Sequence, residues 1–220
     1  MCGRYKRKGD KQRIADAFHI NGSLEETDFD EDEDCAPGSI QPVVHANDVE
    51  RSLTLMRWGF NLPDRFLFNV RSEEVTTSKF WKDKFAENRC IIPASSYFEW
   101  PDKAEKPKPK YEITMPGREY LGIAGVWALW KNPKTDQWEK TFSTFTSEPN
   151  ALIEKIHVRQ PVILEPRDFE EWLTLTERLP VHLLRVVPEE EMLMTLLSSE
   201  KPIVKPKTKK DESAMKGLFD

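Results

Sequence analysis

The sequence predicts an α+β fold, a strand-rich single domain whose curved sheet forms a pseudo-barrel flanked by helices. Two observations carry that expectation. Short runs of β-branched and aromatic residues, punctuated by Gly, Pro and Asn, recur along most of the chain. The clearest is residues 138–146, where Phe142, Thr144 and Thr146 alternate with Ser143 and Phe145 at period two. Helical signals, by contrast, are short and interspersed, which fits an α+β arrangement better than a doubly wound sheet.

Taken in order, residues 3–7 read as a strand, and Asp10 caps a helix over residues 11–19 with Ile14 and Phe18 on one face. The acidic run at 25–34 reads as a solvated loop. Pro37 and Pro42 bracket an extended segment, followed by strand-like Val43, Val44 and His45. Residues 53–60 form a strand entering a turn at 61–64, and residues 68–71 are a further extended piece. Thr77 or Ser78 starts a helix bearing Phe80, Trp81 and Phe85. Residues 90–92 form a strand stopped by Pro93, and extended structure resumes at 97–100. The Pro- and Lys-rich stretch 101–110 suits an exposed hairpin connection. Strands are expected at 111–115, 120–129 and 138–146. A helix then runs from Ser147 and Pro149 to Ile156, followed by a strand at 161–164 and a helix at 166–173. Residues 187–190 carry no strand signal. The domain is expected to span residues 1–198, with 199–220 a flexible Lys/Pro-rich tail.

Composition narrows the function classes. A chain of 220 residues with 38% hydrophobic residues builds one substantial core. No apolar run approaches a membrane span and no signal-peptide pattern opens the chain, so a cytoplasmic protein is expected. Three widely spaced cysteines, Cys2, Cys35 and Cys90, show no zinc spacing and cannot all pair, which fits a reduced compartment and no metal or other cofactor. The net charge of −5 argues mildly against nucleic acid, but eight of the negative charges lie in residues 25–34. Without them the other 210 residues carry +3, so charge is judged at the site.

The chain begins Met1-Cys2-Gly3-Arg4. Trimming of Met1 leaves Cys2 with a free α-amine and a thiol on adjacent carbons. Such a 1,2-aminothiol condenses with an aldehyde to an imine, and the thiol closes on it to give a five-membered thiazolidine. An ordinary α-amine titrates near ~7.8 and a thiol near ~8.5, so part of the amine is nucleophilic at neutral pH. Asn69 and Arg71 share one face of an extended segment. Glu99 sits between Tyr97-Phe98 and Trp100, a setting that desolvates a carboxyl and raises its pKa. His157 precedes the apolar strand at 161–164. Taken singly, each has a structural reading: a turn Asn, a strand-edge Glu facing water, a satisfied boundary His.

The ordered stretches MCGRY, CAPGSIQPVV, RWGF, FNVRSE, RCIIPASSYFEW, IAGVW and HVRQPVIL resemble the SRAP family, the SOS response-associated peptidase or abasic-site processing proteins. The resemblance runs from Met1 to about Trp172. It implies a compact α+β pseudo-barrel that binds single-stranded DNA and captures abasic sites as a thiazolidine crosslink, without a metal. On the matching positions, Cys2 is the nucleophile and Asn69 orients the cysteine and the sugar. Glu99 is a carboxyl assisting by proton transfer, and His157 a second acid/base group for ring opening and reversal. Arg4, Arg71 and Arg159 would meet phosphates. Pro37, Trp58 and Trp100 would lie near the bases, and Thr146 joins them on the DNA-binding surface. The family name also implies a peptidase, which self-processing to expose Cys2 would satisfy.

The sequence departs from the pattern in four places. A second Trp that often follows R-W-G is replaced by the neighbourhood Pro63-Asp64-Arg65-Phe66, Gln160 stands where Met is frequent, an acidic run precedes Cys35, and the usual C-terminal strand signal is missing. Two other readings use the same opening residues. An N-terminal-nucleophile cysteine amidohydrolase would use the Cys2 amine as base for its own thiol, which a glutaminase assay detects. A non-catalytic single-strand binder would bind abasic DNA without forming an adduct.

Overall fold

The computed structural model describes residues 2–25, 28–47, 50–101 and 107–198. β1 (Tyr5–Arg7) leads into α1 (Lys11–Ala17). The Asp10 carboxylate accepts the Arg13 N–H at 2.9 Å and so satisfies one free amide of the first turn. Ile14 and Phe18 are both buried. Next come β2 (Asp32–Cys35), β3 (Ile40–Asn47), β4 (Glu50–Trp58), the small hairpin of β5 (Phe60–Asn61) and β6 (Phe66–Leu67), and β7 (Asn69–Arg71). α2 (Lys82–Glu87), β8 (Arg89–Ala94), β9 (Ser96–Glu99), β10 (Lys110–Thr114), β11 (Leu121–Lys131) and β12 (Trp138–Ser147) follow. The chain then forms β13 (Gln160–Pro161), β14 (Ile163–Leu164), α3 (Phe169–Leu173) and β15 (Leu193–Ser198).

β12, β4, β3, β8 and β11 pair in sequence, and β11 pairs back to β12. The result is a closed five-stranded barrel. Its contacts are antiparallel except for β4 with β12, where Trp58 stands opposite Phe142. Closure leaves this ring with no exposed edge. A second, antiparallel sheet runs β15-β10-β9-β1-β2. Period-two alternation sorts the barrel side chains into two cores. Val43, Met56, Trp58, Ile92, Ile123 and Phe142 pack with Tyr5, Tyr97 and Ile113 of the second sheet. Their neighbours Val44, Leu53, Ile91, Ala124 and Phe145 point the other way, against Ile14 and Phe18, Phe85 of α2 and Trp172 of α3.

Four expectations change. The acidic run is not a solvated loop: its last residues form β2 beside β1, and Glu25 and Glu31 accept the Leu55 and Gly9 amides at 2.9 and 2.8 Å. Lys6 and Lys11 pair with Glu33 and Asp28, because the flanking bases lie within reach only once the sheet has formed. β8 runs through Pro93, which stands opposite Gly122; the β3 ladder ends at Ile91, so the missing N–H of Pro93 breaks no rung there. The helix expected to end at Ile156 shrinks to a single turn, Ile153–Lys155. Asn150 captures the Ile153 N–H at 3.0 Å and binds the Val187 carbonyl at 2.9 Å, fixing a turn where a longer helix was expected. Finally, β15 supplies the C-terminal strand that residues 187–190 do not announce. The tail from residue 199, and residues 102–106 of the expected hairpin connection, lie outside the described residues.

Candidate active site

Cys2 stands three residues before the start of β1, which pairs with β9 so that Tyr5 is opposite Tyr97. That pairing carries Glu99, the last residue of β9, toward the start of the chain. On the barrel side β7 adds to β12 in parallel, with Asn69 opposite Thr144 and Arg71 opposite Thr146. His157 enters from the turn that precedes β13. Four segments far apart in sequence thus converge. Cys2, Glu99 and His157 are all buried.

The contacts orient the group. Asn69 Nδ2 donates to the Cys2 carbonyl at 3.0 Å, and Thr144 Oγ1 donates to Asn69 Oδ1 at 2.7 Å. A carbonyl oxygen only accepts, so the amide nitrogen must face Cys2 and the threonine hydroxyl must serve the amide oxygen. The Cys2 thiol donates to the Arg159 carbonyl at 3.4 Å. His157 Nδ1 lies 3.1 Å from the Arg159 N–H and 3.0 Å from its carbonyl. The ring therefore has a backbone partner whether Nδ1 accepts or donates.

Electrostatics set the proton inventory. Burial pushes the Glu99 carboxyl above its ordinary value, opposed by the nearby His157. Glu99 Oε1 receives only a long 3.4 Å bond from the Trp100 N–H, and Oε2, 3.8 Å from His157 Nδ1, has no hydrogen-bond partner. Burial, then the charge of the neighbouring Glu99, push the Cys2 thiol well up. The expectation of a thiol near its free value is corrected accordingly: this thiol is held protonated at neutral pH by desolvation. The spacing of the cysteines suggested no metal cluster, yet the ligand atoms of Cys2, Glu99 and His157 lie within 4.8 Å of one another.

All three expected phosphate-contacting arginines carry acidic partners. Arg4 pairs with Asp34 of β2, Arg71 with Glu74 at 3.1 Å, and Arg159 grips Glu73 through two bonds of 2.7 and 2.8 Å. That grip is the main reason the Glu73 carboxyl titrates below its usual range. Arg159 also donates to the Thr146 carbonyl at 2.6 Å. Thr146 is itself buried, so it supports Arg159 and offers little surface of its own. Pro37 and Trp100 are half-buried. Trp58, expected near the bases, is a core residue. It is 2% exposed, donates Nε1–H to the Phe68 carbonyl and stacks on Phe142 with ring centroids 6.0 Å apart. Its ring has no free face for a base.

A family model described as SOS response associated peptidase (SRAP) matches residues 1–200. The chain belongs to the SRAP family. Among similar SRAP relatives, the abasic site processing protein YoqW of Bacillus subtilis is 28% identical over 180 residues, covering 79% of this chain and 80% of YoqW. The abasic site processing protein HMCES of Xenopus tropicalis is 28% identical over 160 residues, 60% of this chain and 48% of HMCES. An X-ray structure of a Bordetella bronchiseptica protein superposes with a TM-score of 0.76 at 22% identity, covering 90% of this chain and all of that one. One from Bacteroides thetaiotaomicron gives 0.74 at 21%, covering 90% and 92%. Both solved structures share this SRAP fold.

The residue that sequence reasoning missed is Thr144. Its place in the 142–144–146 alternation was a usable signal, but a strand threonine ordinarily reports only β propensity. Thr144→Val should leave the amide oxygen of half-buried Asn69 without its donor, lowering folding stability by about 1 kcal/mol. Thr144→Ser should restore most of it. Thermal melts of the two variants beside the wild type check this. A Val variant as stable as wild type would contradict the assigned role.

Proposed function

We propose that this SRAP protein captures abasic sites in single-stranded DNA as a covalent thiazolidine at Cys2 after removal of Met1. The observation that carries the reading is the convergence of buried Cys2, Glu99 and His157 with half-buried Asn69, which binds the Cys2 carbonyl. The names of the relatives point to the same substrate class. In the proposed sequence, His157 accepts the hydroxyl proton of the closed sugar while the Glu99 carboxyl protonates the ring oxygen, freeing the aldehyde. The Cys2 amine adds to the aldehyde carbon, and the resulting hydroxyl leaves as water with a proton returned through the same acid/base pair. The thiol then adds to the imine carbon and its proton passes to nitrogen. No oxidant or reductant is required. A thiol held protonated suits this amine-first order better than direct thiolate attack on an amide, which disfavours the amidohydrolase reading.

Asn69, anchored by Thr144, would fix the Cys2 backbone so that amine and thiol face one aldehyde carbon. Any peptidase activity implied by the family name is confined in this reading to the exposure of Cys2. The direct test is a denaturing gel of the purified protein with abasic and intact single-stranded oligonucleotides. A heat-stable, shifted band with the abasic strand alone supports the proposal, and equal, heat-labile binding of both strands defeats it.

Noncovalent binding is proposed to use Arg4, Arg71 and Arg159, whose acidic partners the phosphates must displace. Three phosphate contacts imply a slope of log K against log salt of about −2. Removing one competing carboxylate at ~4 Å is worth about 1 kcal/mol in water, or about fivefold in affinity. Glu73→Gln and Asp34→Asn should therefore each tighten binding of an intact strand several-fold at low salt, with the gain fading as salt screens the site. Titrations overlaying the wild type at every ionic strength would rule out this competition.

A further inference from the structure

Glu99 Oε2 is a buried carboxyl oxygen with no hydrogen-bond partner, and it faces two other buried groups that ligate soft metals. A tetrahedral zinc with bonds of about 2.0–2.3 Å sets its ligands about 3.4–3.6 Å apart. The Cys2, Glu99 and His157 ligand atoms already lie within 4.8 Å of one another, so side-chain rotations of roughly 1 Å close the cage. We infer that the Cys2–Glu99–His157 centre is a zinc-class metal site whose occupation switches off the aminothiol. The fourth ligand is the Cys2 α-amine, which forms a five-membered N,S chelate with its own thiolate. That ligand rests on the removal of Met1 proposed above, whereas the three side-chain ligands do not.

The donor set selects the metal. Thiolate and imidazole nitrogen favour Zn2+, whereas Mg2+ and Ca2+ demand oxygen-only shells. On binding, the thiol proton and the Glu99 carboxyl proton leave to solvent, and the sulfur exchanges its 3.4 Å bond to the Arg159 carbonyl for a metal bond. Nδ1 of His157, the ring nitrogen 3.8 Å from Glu99 Oε2, exchanges its bond from the Arg159 N–H in the same way. The orphan oxygen of Glu99 gains the partner that the protein alone does not supply. The lone pairs taken by the metal are those that the imine and the ring require, so metal and aldehyde exclude each other. Asn69 touches only the Cys2 carbonyl and is undisturbed.

Calorimetric titration of the chain lacking Met1 with zinc chloride, without DNA, tests the site. One Zn2+ per chain is expected at sub-micromolar Kd, unaffected by a thousandfold excess of Mg2+. Cys2→Ser and Glu99→Gln should each weaken it by at least about tenfold, with folding of both variants verified by circular dichroism. Cobalt chloride should give a thiolate charge-transfer band that Cys2→Ser abolishes. Absence of binding below about 100 μM, or binding indifferent to Cys2→Ser, overturns the site. A second arm measures adduct formation on abasic DNA with zinc and then with excess EDTA, where inhibition and recovery are expected. Zinc bound at the site without inhibition overturns the switch alone. Failure of crosslinking in metal-free protein counts against the capture mechanism and leaves the zinc titration standing.

Discussion

Cys2→Ala should form no heat-stable adduct with abasic single-stranded DNA, a complete loss where every other substitution slows the reaction. The ring needs both nitrogen and sulfur, and alanine keeps only the amine. Cys2→Ser should lose the stable product yet still yield an imine that borohydride traps, because serine also retains the amine. A wild-type chain whose N-terminus is blocked, leaving no free α-amine at Cys2, should fail in both assays. These variants separate capture from folding. The Cys2 carbonyl that accepts from Asn69 belongs to the backbone and survives every change at the side chain. Cys2 is nonetheless buried, so the melting temperature of each variant has to be read beside its yield. An undiminished stable adduct from the blocked chain would end the thiazolidine mechanism.

Glu99→Gln and His157→Ala should slow adduct formation by about 10²–10⁴, the usual worth of general acid/base assistance, while noncovalent binding changes little. pH dependence distinguishes the carboxyl. Burial raises its pKa, so it keeps a donatable proton at pH values where an exposed glutamate has lost it. The acid function is thus present below the raised pKa and fades as pH rises through it, a limb that Glu99→Gln should abolish. Stability follows the same sign. The folded state holds the proton more tightly than the unfolded chain, so this contribution is complete below the ordinary glutamate range and is lost as pH rises through the folded value. Glu99→Gln should consequently be more stable than wild type at alkaline pH and slower in reaction. Wild-type rates in both variants at pH 7 would reduce these residues to structural ones.

Much of the molecule is legible from local pattern. The alternation in β12, the cap at Asp10 and the apolar pair Ile14 and Phe18 are short-range effects, and they hold. The burial of Glu99 was readable because it closes a strand of apolar and aromatic residues, Tyr97 and Phe98, that are themselves buried. Trp58 was misread for a specific reason. Both faces of the barrel strands are buried, so alternation cannot say which face an aromatic residue takes. Gly59 compounds the ambiguity: its φ of +107° turns the chain sharply, and a Cβ there would meet the Phe66 ring at 2.3 Å. β15 escaped because Leu193, Leu196 and Leu197 fall at helical spacing, yet they lie exposed on an edge strand. The ion pairs of Arg4 and Arg159 were beyond sequence altogether. Their acidic partners are 30 and 86 residues away, and only the pairing of β1 with β2 and of β7 with β12 brings them together.

The central claim is that one carbon of an abasic sugar becomes bonded to both the nitrogen and the sulfur of Cys2. Mass spectrometry of the nuclease-trimmed, protease-digested adduct tests it most directly. The predicted product is the peptide beginning at Cys2, free of Met1. Its mass should increase by that of the abasic remnant less one water, with its thiol no longer alkylatable by iodoacetamide. An adduct on a lysine, or one on Cys2 whose thiol still alkylates, would contradict the ring.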